Sequence, residues 1–160
     1  MAKIFDQYLP SHFEFFHLGS VSSHKEPASL AFSPKGIVYF RIAGDEPGHM
    51  LFAFEEPPAE DSLYMELANI IASKLLSQIA DFAGLMLEMS PPIYCDPDES
   101  RFRLLENWMF SAEEALLLAS RKYVFNTTEQ STLSDAKNVT IHTMFLSDPR
   151  GNAWTTFFHY

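Results

Sequence analysis

A long helix that begins near residue 61 and ends near residue 84 is the strongest constraint that the sequence places on the fold. Asp61 or Ser62 supplies the capping side chain that a helix needs at its start, and the helix is predicted to run to about Phe82. Gly84 follows, at the position where a glycine commonly ends a helix. Most residues between these ends are apolar, so the helix must bury most of its surface in the core of the protein.

A thin polar stripe interrupts this apolar surface. Residues three or four apart share a helix face, and at about 100° per residue five polar residues fall within a sector of about 80°. A solvated helix face is normally broad and rich in charge, whereas this stripe contains a single charged residue. It therefore offers one carboxylate and one carboxamide, bordered by serines that are too short to block a partner. Its members are Ser62, Glu66, Asn69, Ser73 and Ser77.

These polar residues also have ordinary structural explanations. Ser62 serves equally well as a helix cap or as a contact, and a lone glutamate such as Glu66 is most often a solvated charge. Asn69 is more informative, because asparagine is a poor helix former and nothing local explains its presence in mid-helix. An asparagine at such a position indicates a partner, either within the protein or bound to it.

The rest of the chain predicts an α+β fold with an antiparallel sheet. The predicted strands mostly follow one another without helical crossovers, which favours antiparallel pairing. Two long helices, the second from about Asp98 to Arg121, would pack on one face of this sheet. Residues 1–32 are expected to be irregular, with at most a short helix, and residues 1–160 are expected to form a single domain. The predicted strands are 36–43, 49–55, 85–89, 123–127, 138–146 and 153–159, with a hairpin turn at 147–152.

Charge and cysteine content limit the partners and the compartment. The formal net charge is -10, which argues against binding to nucleic acid or to anionic membranes, since both need clustered lysine and arginine. The single cysteine, Cys95, cannot form an internal disulfide and fits a reducing compartment. No signal peptide is visible and the long apolar stretches contain charged residues, so a cytoplasmic protein without a membrane span is expected.

The usual arrangements of catalytic or metal-binding residues are not found in the sequence. It contains no glycine-rich phosphate loop, no paired cysteine and no zinc-ligand spacing among its six histidines. His12 and His17 are five residues apart and form only a weak metal-site candidate, and His142 is expected on the surface or lightly buried. Asp96 and the acids that follow it could ligate Ca²⁺, but capping of the second helix explains them. No metal site is therefore predicted in this chain.

The stripe and the segment after it carry a resemblance to a known family. The sequence has Ser62, then Glu66 after three intervening residues, and then Asn69 after two more. The segment Ser90-Pro-Pro92 follows about twenty residues later. This order resembles the chemotaxis phosphatase family that includes CheC, CheX and FliY. In that family the first group lies on a long exposed helix, and an apolar strand and a Ser/Met-Pro-Pro turn come after it. The resemblance covers roughly residues 60–94, and a single motif makes the chain similar to CheX rather than to CheC.

The resemblance implies a substrate, a mechanism and a set of site residues. The substrate would be the phospho-aspartate of a CheY-like receiver domain, on which Mg²⁺ and a lysine already surround the acyl phosphate. Asn69 would hold a water in line with the phosphorus, and Glu66 would accept a hydrogen bond from the receiver's lysine. Ser62 and Ser73 would contact the partner. No cofactor of the protein's own is needed, and a homodimer is expected, with the β-rich residues 154–160 as a candidate pairing edge.

Some features depart from the family pattern and keep other functions open. Ala72 stands where glycine is frequent, the helix expected between the first hairpin and the stripe is shortened or lost, and residues 1–32 have no counterpart. The main alternative is therefore a catalytically inactive interaction module that binds a receiver or self-assembles. A small-molecule binder is a third class, and it would require a deep aromatic-lined pocket formed by residues such as Phe52, Phe54 and Trp108.

Overall fold

The computed structural model describes residues 12–15, 19–24, 33–57, 61–111, 117–127 and 139–147, with side chains at 33–57, 62–107 and 139–146. These residues form strands and two helices. In chain order they are β1 His12–Phe15, β2 Gly19–His24, β3 Gly36–Gly44, β4 Gly48–Phe54, α1 Asp61–Ala83, β5 Leu87–Met89, β6 Ile93–Cys95, α2 Ser100–Ser111, β7 Leu117–Thr127 and β8 Val139–Ser147.

The strands form one antiparallel sheet in the order β1-β2-β7-β8-β4-β3-β5, and β6 also pairs with β3. The predicted α+β class with an antiparallel sheet is therefore confirmed. Strands β3 and β4 form a hairpin in which Arg41 lies opposite His49, and β4 pairs on its other side with β8. These three strands make up the centre of the sheet.

The two helices pack on opposite faces of the sheet, so the prediction that both would cover one face is wrong. Side chains alternate along a strand between the two faces. Val38 and Phe40 of β3 lie in the cluster under α1, whereas Ile37 and Tyr39 lie in the cluster with Phe102 of α2. Strand β4 is buried along its whole length because both of its faces are covered. The sheet is thus the middle layer of three.

The prediction that residues 1–32 would be irregular is wrong for the part of them that the structure describes. Two strands lie within them, and β2 pairs with β7 over six residues while β1 pairs with the outer side of β2. The sequence of β2, GSVSSH, has no apolar run that would mark a strand. It is extended because its backbone hydrogen-bonds to β7, and strand preference depends strongly on such context.

The second helix is much shorter than predicted. It ends at Ser111, and residues 117–121, which were expected to continue it, begin strand β7. Pairing with β8 overrides the helical preference of Leu117, Leu118 and Ala119, since tertiary pairing routinely outweighs local propensity. Strand β6 was not predicted at all. The expected strand 153–159 and most of the turn 147–152 lie outside the described residues.

Candidate functional site

An aromatic stack anchors the first turns of α1. The ring of Tyr64 lies on the ring of Phe54 with 3.7 Å between the centroids and 10° between the planes. It also makes an edge contact with the ring of Tyr94, with 6.3 Å between the centroids and 61° between the planes. Gly36 leaves room for this stack, because a Cβ there would lie 2.9 Å from Cε2 of Tyr94 and 3.2 Å from Cδ2 of Tyr64. The rotation of α1 about its axis is thereby fixed near its start.

The remaining length of α1 is held by its apolar side. Burying each large aliphatic side chain contributes about 1.5–3 kcal/mol, so a row of them determines which side of the helix faces the sheet. The opposite side is left in solvent. The fully buried residues of this row are Leu67, Ala68, Ile71, Ala72, Leu75 and Ile79.

The predicted site residues all lie on the solvent side of α1. Ser62, Glu66, Asn69 and Ser73 are exposed, and Ser77 continues the row. The helix is unbroken from Asp61 to Ala83, so the angular spacing expected from the sequence applies and these side chains form a single stripe. The structure therefore places the predicted residues together on one accessible surface.

The turn after β5 is built around Ser90. The Ser90 N–H donates to the carbonyl oxygen of Arg41 at 2.9 Å, and its Oγ accepts from the Arg41 N–H at 2.9 Å. Register shows why this turn is needed: Ile42 pairs with Met89 and Tyr39 pairs with Ile93. Three residues of the β5–β6 segment therefore lie opposite two residues of β3, which is a β-bulge. Those three residues are Ser90, Pro91 and Pro92.

The helix, this bulge and strand β3 form one structural unit. Strands β5 and β6 pair with the same strand β3 on either side of the bulge, and α1 contacts all three strands. The two prolines have no N–H, and the serine before them bonds to both polar groups of the Arg41 backbone: its N–H donates to the carbonyl oxygen and its Oγ accepts from the N–H. The two separated parts of the sequence pattern, the stripe and the Ser-Pro-Pro turn, therefore belong to one local structure.

The acidic group before α2 acts as a helix cap, as predicted. Asp96 Oδ1 accepts from the Asp98 N–H at 3.0 Å, and Glu99 Oε1 accepts from the Asp96 N–H at 3.3 Å. Glu99 Oε2 also pairs with Nη2 of Arg101 at 3.0 Å. Reciprocal bonds of this kind satisfy N–H groups that have no partner inside the helix. In the part of the chain that the structure describes, no cluster of His, Cys, Asp and Glu could hold a metal ion.

The histidine predictions have different outcomes. His142 is only 7% exposed, so the expectation of a surface or lightly buried side chain is wrong. Its Nε2 lies 2.6 Å from Oε1 of Glu55, and it is buried because it lies on the face of the sheet that α2 covers, together with Met144 and Leu146. For the His12 and His17 pair, the side chain of His12 and all of His17 lie outside the described residues.

The aromatic pocket that a small-molecule binder would need is not formed by Phe52 and Phe54. Both rings are fully buried in the core under α1, and Phe54 is occupied by its stack with Tyr64. The side chain of Trp108 lies outside the described part. Among the described residues, no helix is long and apolar enough to cross a membrane.

Two features of the site were not predicted from the sequence. One is the anchoring role of Tyr64, and the other is the double hydrogen bond between Ser90 and Arg41. A signal for Tyr64 existed, since it is a large aromatic on the buried side of the helix within the first turn. Nothing in the sequence pairs Ser90 with Arg41, because their contact depends on the register of the sheet.

Comparison with known proteins agrees with the sequence pattern in one segment. The model of the CheC-like family matches residues 60–94, about a fifth of the chain, and this segment contains α1, β5 and the bulge. No curated protein matches the sequence. Over residues 60–94 the chain is therefore CheC-like, and the resemblance to the CheC/CheX-type family is confirmed there.

Solved structures with a similar arrangement share little sequence with the chain. One is a CheX–CheY–BeF3–Mg²⁺ complex from Borrelia burgdorferi, with 10% identity, coverage of 92% of both chains and a TM-score of 0.46. Another is a chemotactic CheC-like protein from Shewanella oneidensis MR-1, with 12% identity, coverage of 78% of this chain and 84% of that chain, and a TM-score of 0.43.

The buried hydroxyl of Tyr64 leads to a stability prediction. No described group hydrogen-bonds to it, and leaving such a group unpaired in the core typically costs about 1–3 kcal/mol. We expect Tyr64→Phe, which keeps the stack on Phe54, to leave the free energy of unfolding at pH 7 unchanged or to raise it by up to about 1 kcal/mol. Tyr64→Ala should lower it by about 3–5 kcal/mol. Urea unfolding measures both, and a large loss in Tyr64→Phe would contradict the stack as the source of stability.

Tyr64→Phe is also expected to have a distinct effect at alkaline pH. Burial, the charge of Glu56 and the neighbouring Tyr94 raise the pKa of the Tyr64 phenol above its ordinary value. The unfolded chain therefore loses this proton first, and the stability that depends on the neutral phenol is present at lower pH and is lost as the pH rises above about 10. Tyr64→Phe should unfold over this range with a weaker pH dependence than the wild type.

Ser90→Ala tests the bulge. The substitution removes the Oγ acceptor for the Arg41 N–H but keeps the backbone bond, so the free energy of unfolding should fall by about 0.5–1.5 kcal/mol. Amide hydrogen exchange should quicken at Arg41. Exchange that is unchanged at Arg41 would mean that the side-chain bond does not hold the bulge.

Proposed function

We propose that this protein dephosphorylates the phospho-aspartate of a CheY-like receiver domain, using the exposed stripe of α1 as its docking and catalytic surface. One observation carries the proposal. The exposed side of α1 opposite its buried row holds Ser62, Glu66, Asn69 and Ser73, within a segment that matches the CheC-like family. A polar row of this kind has no role in packing the helix, so binding is the simplest reason for its composition.

The chemistry suits a rigid surface with few functional groups. An aspartyl phosphate is an acyl phosphate that needs little covalent chemistry for hydrolysis, so catalysis consists mainly of positioning and of placing charge. Asn69 has both a donor and an acceptor on its carboxamide, and it can orient one water for in-line attack on the phosphorus. The Mg²⁺ that neutralises the phosphate would be held by the receiver.

Glu66 has the role of a docking residue in this proposal. Its exposed carboxylate would accept a charge-assisted hydrogen bond from a lysine of the receiver, which would fix the orientation of the two proteins. Ser62 and Ser73 border the contact with short side chains that let the partner approach the helix. The anchoring of α1 by Tyr64 supports this arrangement, because in-line attack tolerates little displacement of the water.

The overall charge makes the contact selective. The formal net charge is -10, so an acidic receiver is repelled at long range. A lysine that the receiver presents to Glu66 would supply attraction at short range. The attraction must be local, and association should therefore be faster at moderate salt than at very low salt, where the repulsion is least screened.

Asn69→Ala separates catalysis from binding. A Mg²⁺-bound receiver is charged with a small acyl phosphate, and phosphate release is followed with wild type and variant. Loss of water positioning should reduce the turnover rate by about 100-fold, while the dissociation constant for a receiver loaded with a phosphate mimic changes by less than about threefold. Asn107→Ala is the matched control, because Asn107 is an exposed asparagine on α2, on the other face of the sheet, and it should leave both quantities unchanged.

Glu66→Gln tests the docking role. Replacing the carboxylate by a carboxamide should weaken receiver binding about tenfold and slow turnover as well, since a charge-assisted bond becomes a neutral one. Binding that survives without any phosphate release, in the wild type and in both variants, would support the inactive interaction module instead. Absence of both binding and turnover across the receivers of the source organism would overturn the proposed function.

A further inference from the structure

Two large apolar side chains face solvent at the corner where α1 ends: Phe82 lies in the last turn of the helix, and Met86 lies three residues beyond Ala83. Phe82 is 69% exposed and Met86 is 75% exposed. Among the described residues, Leu104 on α2 is the other large apolar residue that is exposed, at 44%. Single exposed apolar residues are common on protein surfaces, whereas a pair within five residues at one corner forms a patch that can bind a partner.

The backbone that carries this patch is tightly held. The N–H of Leu85 donates to the carbonyl oxygen of Ala80 at 3.1 Å, and Gly84 has φ 68°, which together form a Schellman cap. Met86 then donates its N–H to Oδ2 of Asp45 at 2.8 Å, and its carbonyl oxygen accepts from the Asp45 N–H at 2.9 Å. The exposure of the side chains is therefore a property of an ordered corner and does not come from a fraying helix end.

The β3–β4 hairpin is shaped to receive this corner. Gly44 has φ 112°, and a Cβ there would lie 2.0 Å from the carbonyl oxygen of Met86. Only glycine permits both this backbone conformation and this approach. The hairpin thus fixes the backbone of Met86, while the side chain of Met86 remains in solvent.

The charges around the patch are acidic. Asp81 and Asp45 are exposed next to Phe82 and Met86, and Glu46 follows in the hairpin turn. The nearest described basic residue on the helix, Lys74, lies eight residues before Phe82. On β3, Arg41 is on the face of the sheet that α2 covers, by the alternation from Ile37 and Tyr39. A second copy of the same corner would bring like charges together, so self-association at this site is disfavoured.

We propose that the corner formed by Phe82 and Met86 is a docking point for a partner protein segment that combines apolar side chains with lysine or arginine. Apolar side chains of the segment would cover Phe82 and Met86, and its cations would lie against Asp45, Glu46 and Asp81. This surface is separate from the receiver-docking stripe, because Phe82 lies about 140° from Asn69 around the helix axis. The proposal therefore does not depend on the proposed phosphatase activity.

An amphipathic peptide of leucine and lysine is a suitable probe, and the same peptide with glutamate in place of lysine is its counterpart. Binding to the full-length protein is measured by titration, and the site is mapped by amide chemical shifts. The leucine–lysine peptide should shift the amides of residues 82–86 and of Asp45, and Phe82→Ser/Met86→Ser should weaken it about tenfold or more, as expected when anchor residues are removed. Affinity should also fall as salt is raised.

A matched control separates this site from general attraction to an acidic protein. Leu104→Ser removes the exposed leucine of α2 and should leave the affinity unchanged. Equal binding of both peptides, shifts that lie elsewhere, or an affinity that the double substitution does not change would each overturn the proposal. Unfolding by urea checks that Phe82→Ser/Met86→Ser remains folded. A second variant, Asp45→Asn/Glu46→Gln, keeps the apolar pair and should weaken binding of the leucine–lysine peptide but not of the leucine–glutamate peptide.

Discussion

Burial of one side of α1 against β3, β4 and β8 is the interaction on which the rest of this structure depends. The helix has a wide apolar sector and a narrow polar one, so placing the first in the core leaves the second in solvent without further adjustment. The stack of Tyr64 on Phe54 fixes the rotation, and the Ser90 bulge shapes the strand beside the helix. Site geometry is in this sense a product of core packing.

The sequence predicts α1 well because its signals are local. A capping residue near position 61, continuous apolar periodicity and a glycine at 84 all lie within the helix or next to it. The exposure of Glu66 and Asn69 follows from the same periodicity. Signals of this kind need no knowledge of the rest of the fold, which is why the candidate site could be proposed before its surroundings were known.

The errors arose where pairing between distant segments decides the structure. Residues 117–121 favour a helix by composition, and they form a strand because they pair with β8, while β2 pairs with the rest of β7 from Lys122 onward. Strand β2 is polar and short and could not be identified alone. The placement of the two helices on opposite faces could have been predicted from the sequence. The run HMLFAF in β4 lacks the apolar–polar alternation of a strand that has one face exposed to solvent. The bond between Ser90 and Arg41 had none.

The proline pair at 91 and 92 has a consequence for the assembly of this protein. In the part of the chain that the structure describes, β5 and β6 form one border of the sheet, and an open border is where a foreign strand can add and begin aggregation. Two successive residues without N–H groups, set in a bulge, interrupt the regular ladder that such a strand would require. The turn that shapes the site thereby also makes this border a poor template, and chains crowded together in a cell are directed away from joining their sheets on that side.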